Sequence, residues 1–300
     1  MHGKEIAMSD LVQQLRDLKP EHEFFIGIDS DGCAFDSMEI KHKECFCPAY
    51  IKHFNLQAVS KYAREVWEFV NLYSKTRGCN RFLAVPRALE LLADRKETKA
   101  RKVSVPALSG LRAWIKRESK LGNPALKAAL ESNLNDDLNL CYAWSLDVNR
   151  RIADTVMNVP PFPFVRESLV KMGQTADVVV VSQTPLEALV REWKEHDIER
   201  YARCIAGQEL GTKSEHIAFA AGGKYPKEKM LMVGDAPGDL KAARDNGALF
   251  FPVNPGHEEA SWERFYGEGL DRFFAGTYQG AFEQGLIGEF NTFLPESPSW

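Results

Sequence analysis

The sequence lacks any apolar run long enough to span a bilayer. Its first residues, MHGKEIAMSDLVQQLRDL, also lack the uninterrupted apolar core of a secretory signal, and their spacing predicts an amphipathic helix instead. These absences predict a cytoplasmic protein that has no membrane partner.

The sequence also has little net charge and no paired cysteine motif. Its 38 basic and 42 acidic residues give a formal net charge of −4, which provides no reason to expect nucleic acid as a partner. The 6 cysteines are scattered and form no CxxC pair, so a zinc site is not indicated and reduced thiols are expected.

What the sequence does contain is a set of short apolar runs typical of strands buried on both faces. The first is Phe24–Ile28, and we predict others near 177–181, 202–206, 230–233 and 248–253. From residue 160 onward these runs alternate with helical patterns. Such alternation predicts an α/β fold whose core is a doubly wound, Rossmann-like parallel sheet.

About 120 residues between the first and second predicted strands have helical patterns separated by proline and glycine. We expect Pro86, Pro106 and Pro124 each to stand where a helix begins, and Asn135 to cap a longer helix. The predicted organisation is a discontinuous core, residues 1–37 and 159–300, with an all-helical cap inserted at 38–158. The aromatic-rich tail is expected to pack on this core or to form a dimer contact. We therefore expect a monomer or a homodimer.

The stretch FFIGIDSDGCAFDS places Asp29, Asp31 and Gly32 directly after the first strand. Aspartate, serine and glycine also make ordinary turns, so this stretch alone is equally compatible with loop chemistry. Ligands of open α/β sheets, however, bind at the carboxyl ends of the strands. The other strand ends therefore decide between the two interpretations.

Three further stretches carry polar groups at or beyond strand ends. VVVVSQT contains Ser182 and Gln183, ELGTKSEHI contains Lys213, and MLMVGDAPGDL contains Asp235 and Asp239. Singly, Ser182 reads as a turn residue, Lys213 as a solvated lysine and Asp239 as a helix N-cap. Their occurrence in order at successive strand ends predicts that they form one site.

The predicted site has the chemistry of phosphoryl transfer. Clustered carboxylates repel one another unless a hard cation lies among them, and Mg²⁺ binds carboxylates, water and phosphate oxygens. A carboxylate can act as the nucleophile, while a hydroxyl and an ammonium hold the phosphate oxygens. Asp31, two residues past Asp29, can protonate the leaving oxygen and then activate water.

These motifs resemble those of the haloacid dehalogenase-like hydrolase superfamily, in the helical-cap branch that includes β-phosphoglucomutase and phosphoglycolate phosphatase. The family pattern is a strand followed by DxDGxxxDS, a strand ending in Ser or Thr, a downstream Lys, and a strand ending in GDxxxD. The resemblance covers residues 24–37 and about 160–253, whereas the cap and tail match in type only. The sequence departs from the pattern at Cys33, where a thiol could make the protein sensitive to oxidation.

The resemblance implies roles for the four aspartates. Asp29 would be the nucleophile and a Mg²⁺ ligand. Asp31 would be the general acid and base, and would bind the metal through its backbone carbonyl. Asp235 would be a metal ligand, and Asp239 a further ligand or a support for one.

The resemblance also implies a set of phosphate-binding residues. Ser182 and Lys213 would hold the phosphoryl group, and Lys213 would also neutralise the nucleophilic carboxylate. Gly32 and Gln183 are adjacent to these motifs and are predicted to contact phosphate.

Four polar residues of the cap, Lys41, His42, Arg77 and Arg81, are candidate substrate-binding groups. For the loop that contains both arginines, a solvated surface turn is the interpretation that the sequence favours. The family-typical substrate is a small phosphorylated metabolite such as a sugar phosphate.

The acid at Asp31 favours phosphatases and phosphomutases over dehalogenase and phosphonatase branches, which lack it. The predicted function is a Mg²⁺-dependent phosphatase. A phosphomutase that uses the same residues and a non-catalytic binding protein that keeps the fold are the alternatives.

Overall fold

The computed structural model describes residues 8–300. The strands are β1 (Phe24–Ile28), β2 (Ala176–Val181), β3 (Cys204–Ala206), β4 (Met230–Gly234) and β5 (Leu249–Pro252). The α-helices are α1 (Met8–Arg16), α2 (Ser37–Ile40), α3 (Cys47–His53), α4 (Ser60–Asn71), α5 (Arg81–Asp94), α6 (Lys96–Ala100), α7 (Ser109–Arg117), α8 (Asn123–Ser132), α9 (Asp136–Thr155), α10 (Val165–Met172), α11 (Leu186–Glu195), α12 (Lys213–Ala221), α13 (Pro237–Asn246), α14 (Glu258–Arg264), α15 (Leu270–Phe274) and α16 (Ala281–Phe293). The part of the predicted N-terminal helix before Met8 lies outside the described residues.

The chain divides into two compact units. Within the described part of the chain, one contains residues 8–36 and 158–293, and the other contains residues 37–157 and 294–300. The last residues, 294–300, were expected in the core but cluster with the helical unit. The reason is aromatic packing, because the Trp300 ring meets Phe69 edge-on at 5.4 Å and lies under the Arg95 guanidinium at 4.5 Å.

The α/β unit is built on a parallel sheet with strand order β3-β2-β1-β4-β5. β1, β2, β4 and β5 are buried along their whole length, which explains their continuous apolar sequences. The strand order changes direction at β1, so the middle strand presents its end between two neighbours.

The aromatic tail packs on this sheet. Trp262 and Tyr278 are buried in the same hydrophobic cluster as β1. Trp262 Nε1 donates to the Cys33 carbonyl at 2.7 Å, and the Tyr278 hydroxyl donates to the Phe250 carbonyl at 2.8 Å. The expectation that these tail aromatics belong to the core is confirmed.

The helical unit has its own core, which includes the rings of Trp67 and Trp144 packed edge-on. Asn135 caps α9 as predicted, because its Oδ1 accepts the Leu138 N–H at 3.1 Å. The prediction for Pro86 is wrong, since α5 begins after the capping residue Asn80 and contains the proline in its interior.

Among residues 8–300, none of the helices combines the length and apolarity that a bilayer crossing requires.

Candidate active site

The end of β1 meets the ends of both neighbouring strands. The last residue of β1 is level with Val180 of β2 and Val233 of β4. The Asp29 N–H then donates to the Val233 carbonyl at 3.0 Å. Because the strands are parallel, Asp29, Ser182 and Asp235 all lie at one edge of the sheet.

Lys213, the first residue of α12, reaches two carboxylates. Its Nζ lies 2.6 Å from Oδ2 of Asp29 and 2.6 Å from Oδ1 of Asp239. Reciprocal capping fixes this turn of the helix, since Thr212 Oγ1 accepts the Glu215 N–H and Glu215 Oε2 accepts the Thr212 N–H. The lysine is therefore held between carboxylates that come from different strand ends.

Asp239 contributes one oxygen to Lys213 and the other to the backbone. Its Oδ2 accepts the N–H groups of Asp235 at 3.2 Å and Ala236 at 3.0 Å. α13 begins two residues before Asp239, so the N-cap interpretation of this residue is wrong. Gly234 makes the close approach possible, because a Cβ there would lie 2.3 Å from the Asp239 Cβ.

The charges of this cluster oppose one another. Burial raises the pKa of Asp29 well above its usual range, Lys213 lowers it, and the carboxylates of Asp239 and Asp235 raise it further. Burial lowers the pKa of Lys213, but the three carboxylates outweigh this and raise it above its ordinary value. The ammonium of Lys213 thus favours the ionised form of Asp29.

The donor set fits a hard divalent cation. Carboxylate oxygens of Asp29, Asp235 and Asp239 lie within 4.8 Å of one another, and all three residues are buried. Such carboxylates repel one another, and oxygen donors are the ligands that Mg²⁺ prefers. The side chain of Asp31 is not in this cluster, and its contribution through the backbone carbonyl stays a prediction.

Asp31 is held by Thr184, which was not among the predicted site residues. The Thr184 hydroxyl donates to Asp31 Oδ2 at 2.6 Å. Gly32 follows with a φ of 73°, a left-handed conformation that favours glycine, and its N–H donates to the Phe35 carbonyl at 2.9 Å. Thr184 stands two residues after Ser182 in VVVVSQT, so its position at a strand end was the available signal.

Ser182 and Gln183 form the turn after β2. The Ser182 hydroxyl accepts the Thr184 N–H at 3.2 Å, and the residue is 2 % exposed. Gln183 Nε2 donates to the Gly211 carbonyl at 2.9 Å, which ties this turn to the loop before Lys213. Their roles in binding phosphate stay predictions.

Ser30, between the two motif aspartates, joins the loop to α11. Its Oγ accepts the indole N–H of Trp193 at 3.0 Å and donates to Glu192 Oε2 at 3.3 Å. Nothing in the sequence distinguished it from an ordinary turn serine, because its partners lie more than 160 residues away.

The Cys33 thiol is fully buried and donates to the Val233 carbonyl at 3.6 Å. Burial, followed by the carboxylates of Asp235 and Asp29, raises the pKa of this thiol well above its ordinary value. A protonated, inaccessible thiol reacts slowly with oxidants. The structure thus argues against the oxidation sensitivity considered from sequence.

The candidate substrate residues of the helical unit have partners within that unit. Arg77 is 3 % exposed and donates to the Leu72 carbonyl at 2.9 Å, so this side chain of the loop is not solvated. Arg81 donates to Asn149 Oδ1 at 2.7 Å, and burial lowers its pKa to about 10.

The two remaining candidates lie together in a short π-helical segment, Lys41–Phe46. The His42 ring stacks on Phe46 with centroids 4.7 Å apart. A substrate role for Lys41, His42, Arg77 and Arg81 stays a prediction.

No family model and no curated protein sequence matches this chain. Solved structures do. A "putative phosphoglycolate phosphatase" from Lactobacillus delbrueckii subsp. bulgaricus is 17% identical with a TM-score of 0.50, over 84% of this chain and 98% of that one. A haloacid dehalogenase-like family hydrolase from Streptococcus pneumoniae is 13% identical with a TM-score of 0.44, over 82% and 91%.

At these identities the likeness is one of fold. The fold, with its five-stranded parallel sheet, separate helical unit and acidic motifs at the strand ends, agrees with the resemblance seen in the sequence. The chain shares its fold with the Lactobacillus delbrueckii structure.

Proposed function

We propose that this protein is a Mg²⁺-dependent phosphatase that hydrolyses a small phosphomonoester, such as a sugar phosphate, through an aspartyl-phosphate on Asp29. One observation carries the proposal: Asp29 directly follows the central strand, contacts the Lys213 ammonium, and lies within 4.8 Å of the carboxylates of Asp235 and Asp239. Burying three carboxylates around one lysine costs free energy that a purely structural turn would not require.

In the first step, a carboxylate oxygen of Asp29 attacks phosphorus and the bond to the leaving alkoxide breaks. Asp31 gives its proton to that alkoxide. Thr184 donates to Asp31 Oδ2, and this hydrogen bond orients the carboxyl group that carries the proton. Lys213 and the Ser182 hydroxyl are the chain's donors for the phosphoryl oxygens.

In the second step, water attacks the same phosphorus and gives a proton to Asp31. The bond between phosphorus and Asp29 breaks, which releases inorganic phosphate and restores the carboxylate. Asp29, Asp235 and Asp239 would hold Mg²⁺, which supplies charge neutralisation for the phosphoryl group when bound.

Phosphate release from a panel of sugar phosphates and other small phosphomonoesters tests the proposal, with Mg²⁺ or EDTA present. Wild type should turn over in Mg²⁺ only, and Asp29→Asn should be inactive. Asp245→Asn, which changes a partly exposed aspartate on α13, is the matched control and should keep full activity. Mg²⁺-independent turnover or an active Asp29→Asn would refute the proposal, and an isomerised sugar phosphate without phosphate release would indicate a mutase.

A further inference from the structure

Thr184, in the turn between β2 and α11, holds the side chain of Asp31. Its hydroxyl donates to Asp31 Oδ2 at 2.6 Å. Threonine has one hydroxyl hydrogen, and this contact uses it. The side chain of Asp31 lies outside the cluster of Asp29, Asp235 and Asp239. The hydrogen bond therefore fixes the orientation of a carboxyl group that the cluster does not include.

The backbone of Thr184 is held from two sides. Its N–H donates to Ser182 Oγ at 3.2 Å, and its carbonyl accepts the Gln208 N–H at 3.0 Å. Gly207 permits this approach of the loop after β3, because a Cβ there would lie 2.9 Å from the Thr184 carbonyl oxygen and 2.7 Å from the Leu186 nitrogen. The hydroxyl is therefore attached to a backbone whose position hydrogen bonds fix.

The loop that carries Asp31 is fixed as well. The Ser30 carbonyl accepts the Phe35 N–H at 3.1 Å, so the loop turns back on the residue before Asp31. The side chain of Ser30 accepts the Trp193 indole N–H, which ties the same loop to α11. Rotation of the Asp31 side chain is the freedom that remains, and the Thr184 hydroxyl restricts it.

The orientation of this carboxyl group matters for the bond that breaks in the first step. As the bond between phosphorus and the leaving oxygen breaks, Asp31 gives its proton to that oxygen, so a misdirected carboxyl group slows the departure of an alcohol. A leaving group that departs as a stable anion needs no proton and is insensitive to this orientation. Loss of the Thr184 hydroxyl should therefore affect substrates according to their leaving group.

We propose that Thr184 is the positioning residue of the general acid, and that its hydrogen bond directs the Asp31 carboxyl group at the leaving oxygen. This inference rests on the proposed phosphatase function. The role differs from the phosphate binding predicted for Ser182, because the Thr184 hydroxyl meets a carboxylate of the chain. Thr184 acts on the reaction through Asp31 alone, so its effect requires that residue.

The esters p-nitrophenyl phosphate and p-nitrobenzyl phosphate test the proposal, because they are close in shape and only the benzyl ester needs a proton on its leaving oxygen. The quantity compared is kcat/KM in Mg²⁺, which covers the steps up to departure of the alcohol. Thr184→Val keeps the shape of threonine and removes the donor. It should lower kcat/KM by about tenfold to a hundredfold for the benzyl ester and by less than about twofold for the phenyl ester. Thr184→Ser keeps the hydroxyl and should restore the benzyl ester.

Two controls separate this role from others. In an Asp31→Ala background, Thr184→Val should cause no further loss with the benzyl ester, because the group that it positions is gone. Thr292→Val removes the hydroxyl of an exposed threonine on α16, which donates to the Glu289 carbonyl, and should change the rate of neither ester. Thr184→Ala provides the same comparison if the valine variant does not fold.

The results that would overturn the positioning role differ from those that would overturn the phosphatase function. Failure of wild type to hydrolyse either ester would overturn both. Hydrolysis by wild type, with equal slowing of the two esters by Thr184→Val, is expected of a phosphate-binding or purely structural residue and would overturn the positioning role alone. The same holds if Thr184→Ser is as slow as Thr184→Val, or if the loss persists in the Asp31→Ala background.

Discussion

Replacing Gly234 by alanine should disable the carboxylate cluster without touching any of its charged groups. The added Cβ would lie 2.3 Å from the Asp239 Cβ and 2.5 Å from its Cγ. Reaching 3.0 Å, a separation that real Cβ contacts scarcely undercut, requires a shift of about 0.7 Å, and ordinary contact at 3.4 Å requires about 1.1 Å. Asp239 is fully buried, so its surroundings must move with it.

A shift of that size along the contact lengthens the 2.6 Å separation between Asp239 and Lys213 to about 3.3–3.7 Å and so weakens their hydrogen bond. Overpacking should lower the free energy of unfolding by about 1–3 kcal/mol. Displacement of one carboxylate by about 1 Å should lower kcat/KM by roughly a hundredfold. Thermal denaturation, Mg²⁺ titration calorimetry and phosphate release measure the three effects, and Mg²⁺ affinity should fall.

Gly238→Ala is the matched control for this prediction. Gly238 lies four residues further on, inside α13, and a Cβ there meets nothing within 4 Å. Alanine should stabilise the helix by about 0.5–1 kcal/mol and leave activity unchanged. If Gly234→Ala kept wild-type Mg²⁺ affinity and activity, the close approach would not position Asp239, and the reasoning would fail.

Three further predictions concern single side chains. Lys213→Met should lower kcat/KM by about 10²–10³ through loss of the charge that stabilises the phosphoryl group, and phosphate release within about twofold of wild type would contradict this. Burial raises the pKa of Asp177, but hydrogen bonds from Tyr225 and the backbone of His22 and Glu21 outweigh it, so the folded pKa is below the ordinary value. The stabilisation that Asp177 provides is present above about pH 4 and is lost as the pH falls through its folded pKa. Urea titrations should therefore show that Asp177→Asn lowers the free energy of unfolding by about 1–3 kcal/mol at pH 7, and that this difference closes in acid. A difference that stays constant with pH would contradict this. Burial lowers the pKa of His216 to about 4. The contribution of neutral His216 to the free energy of unfolding is complete above the unfolded pKa of about 6.5. Measured without metal, acidification to pH 4 should remove about 3 kcal/mol from wild type and leave His216→Leu without this loss. Parallel pH profiles of the two proteins would contradict this.

The architecture of the α/β unit could be predicted because its strands are buried on both faces. A buried parallel strand is an unbroken apolar run, so β1, β2, β4 and β5 were visible in the sequence, as were the acidic motifs that follow them. Parallel pairing then requires those motifs to meet at one edge, which is where Asp29, Asp235 and Asp239 lie.

The features that could not be predicted depend on partners distant in sequence. The local sequence predicted that Asp239 is an N-cap. Its position is determined instead by the absence of a Cβ at Gly234 and by the contact with Lys213. Pro86 looked like a helix start, but the cap at Asn80 begins the helix earlier. Trp300 returns to the helical unit through contacts with Phe69 and Arg95, for which no periodicity or spacing exists.

Acid-quenched single turnover with a phosphomonoester that wild type hydrolyses tests the central claim most directly. We predict one hydroxylamine-labile phosphoryl group on the peptide that contains Asp29. With an aryl phosphate, whose leaving group departs without a proton, Asp31→Ala should accumulate this phosphoenzyme because the base that activates water is gone. Asp29→Asn should show none and should not turn over. Phosphate release by wild type with no phosphoenzyme, together with an active Asp29→Asn, would contradict the account.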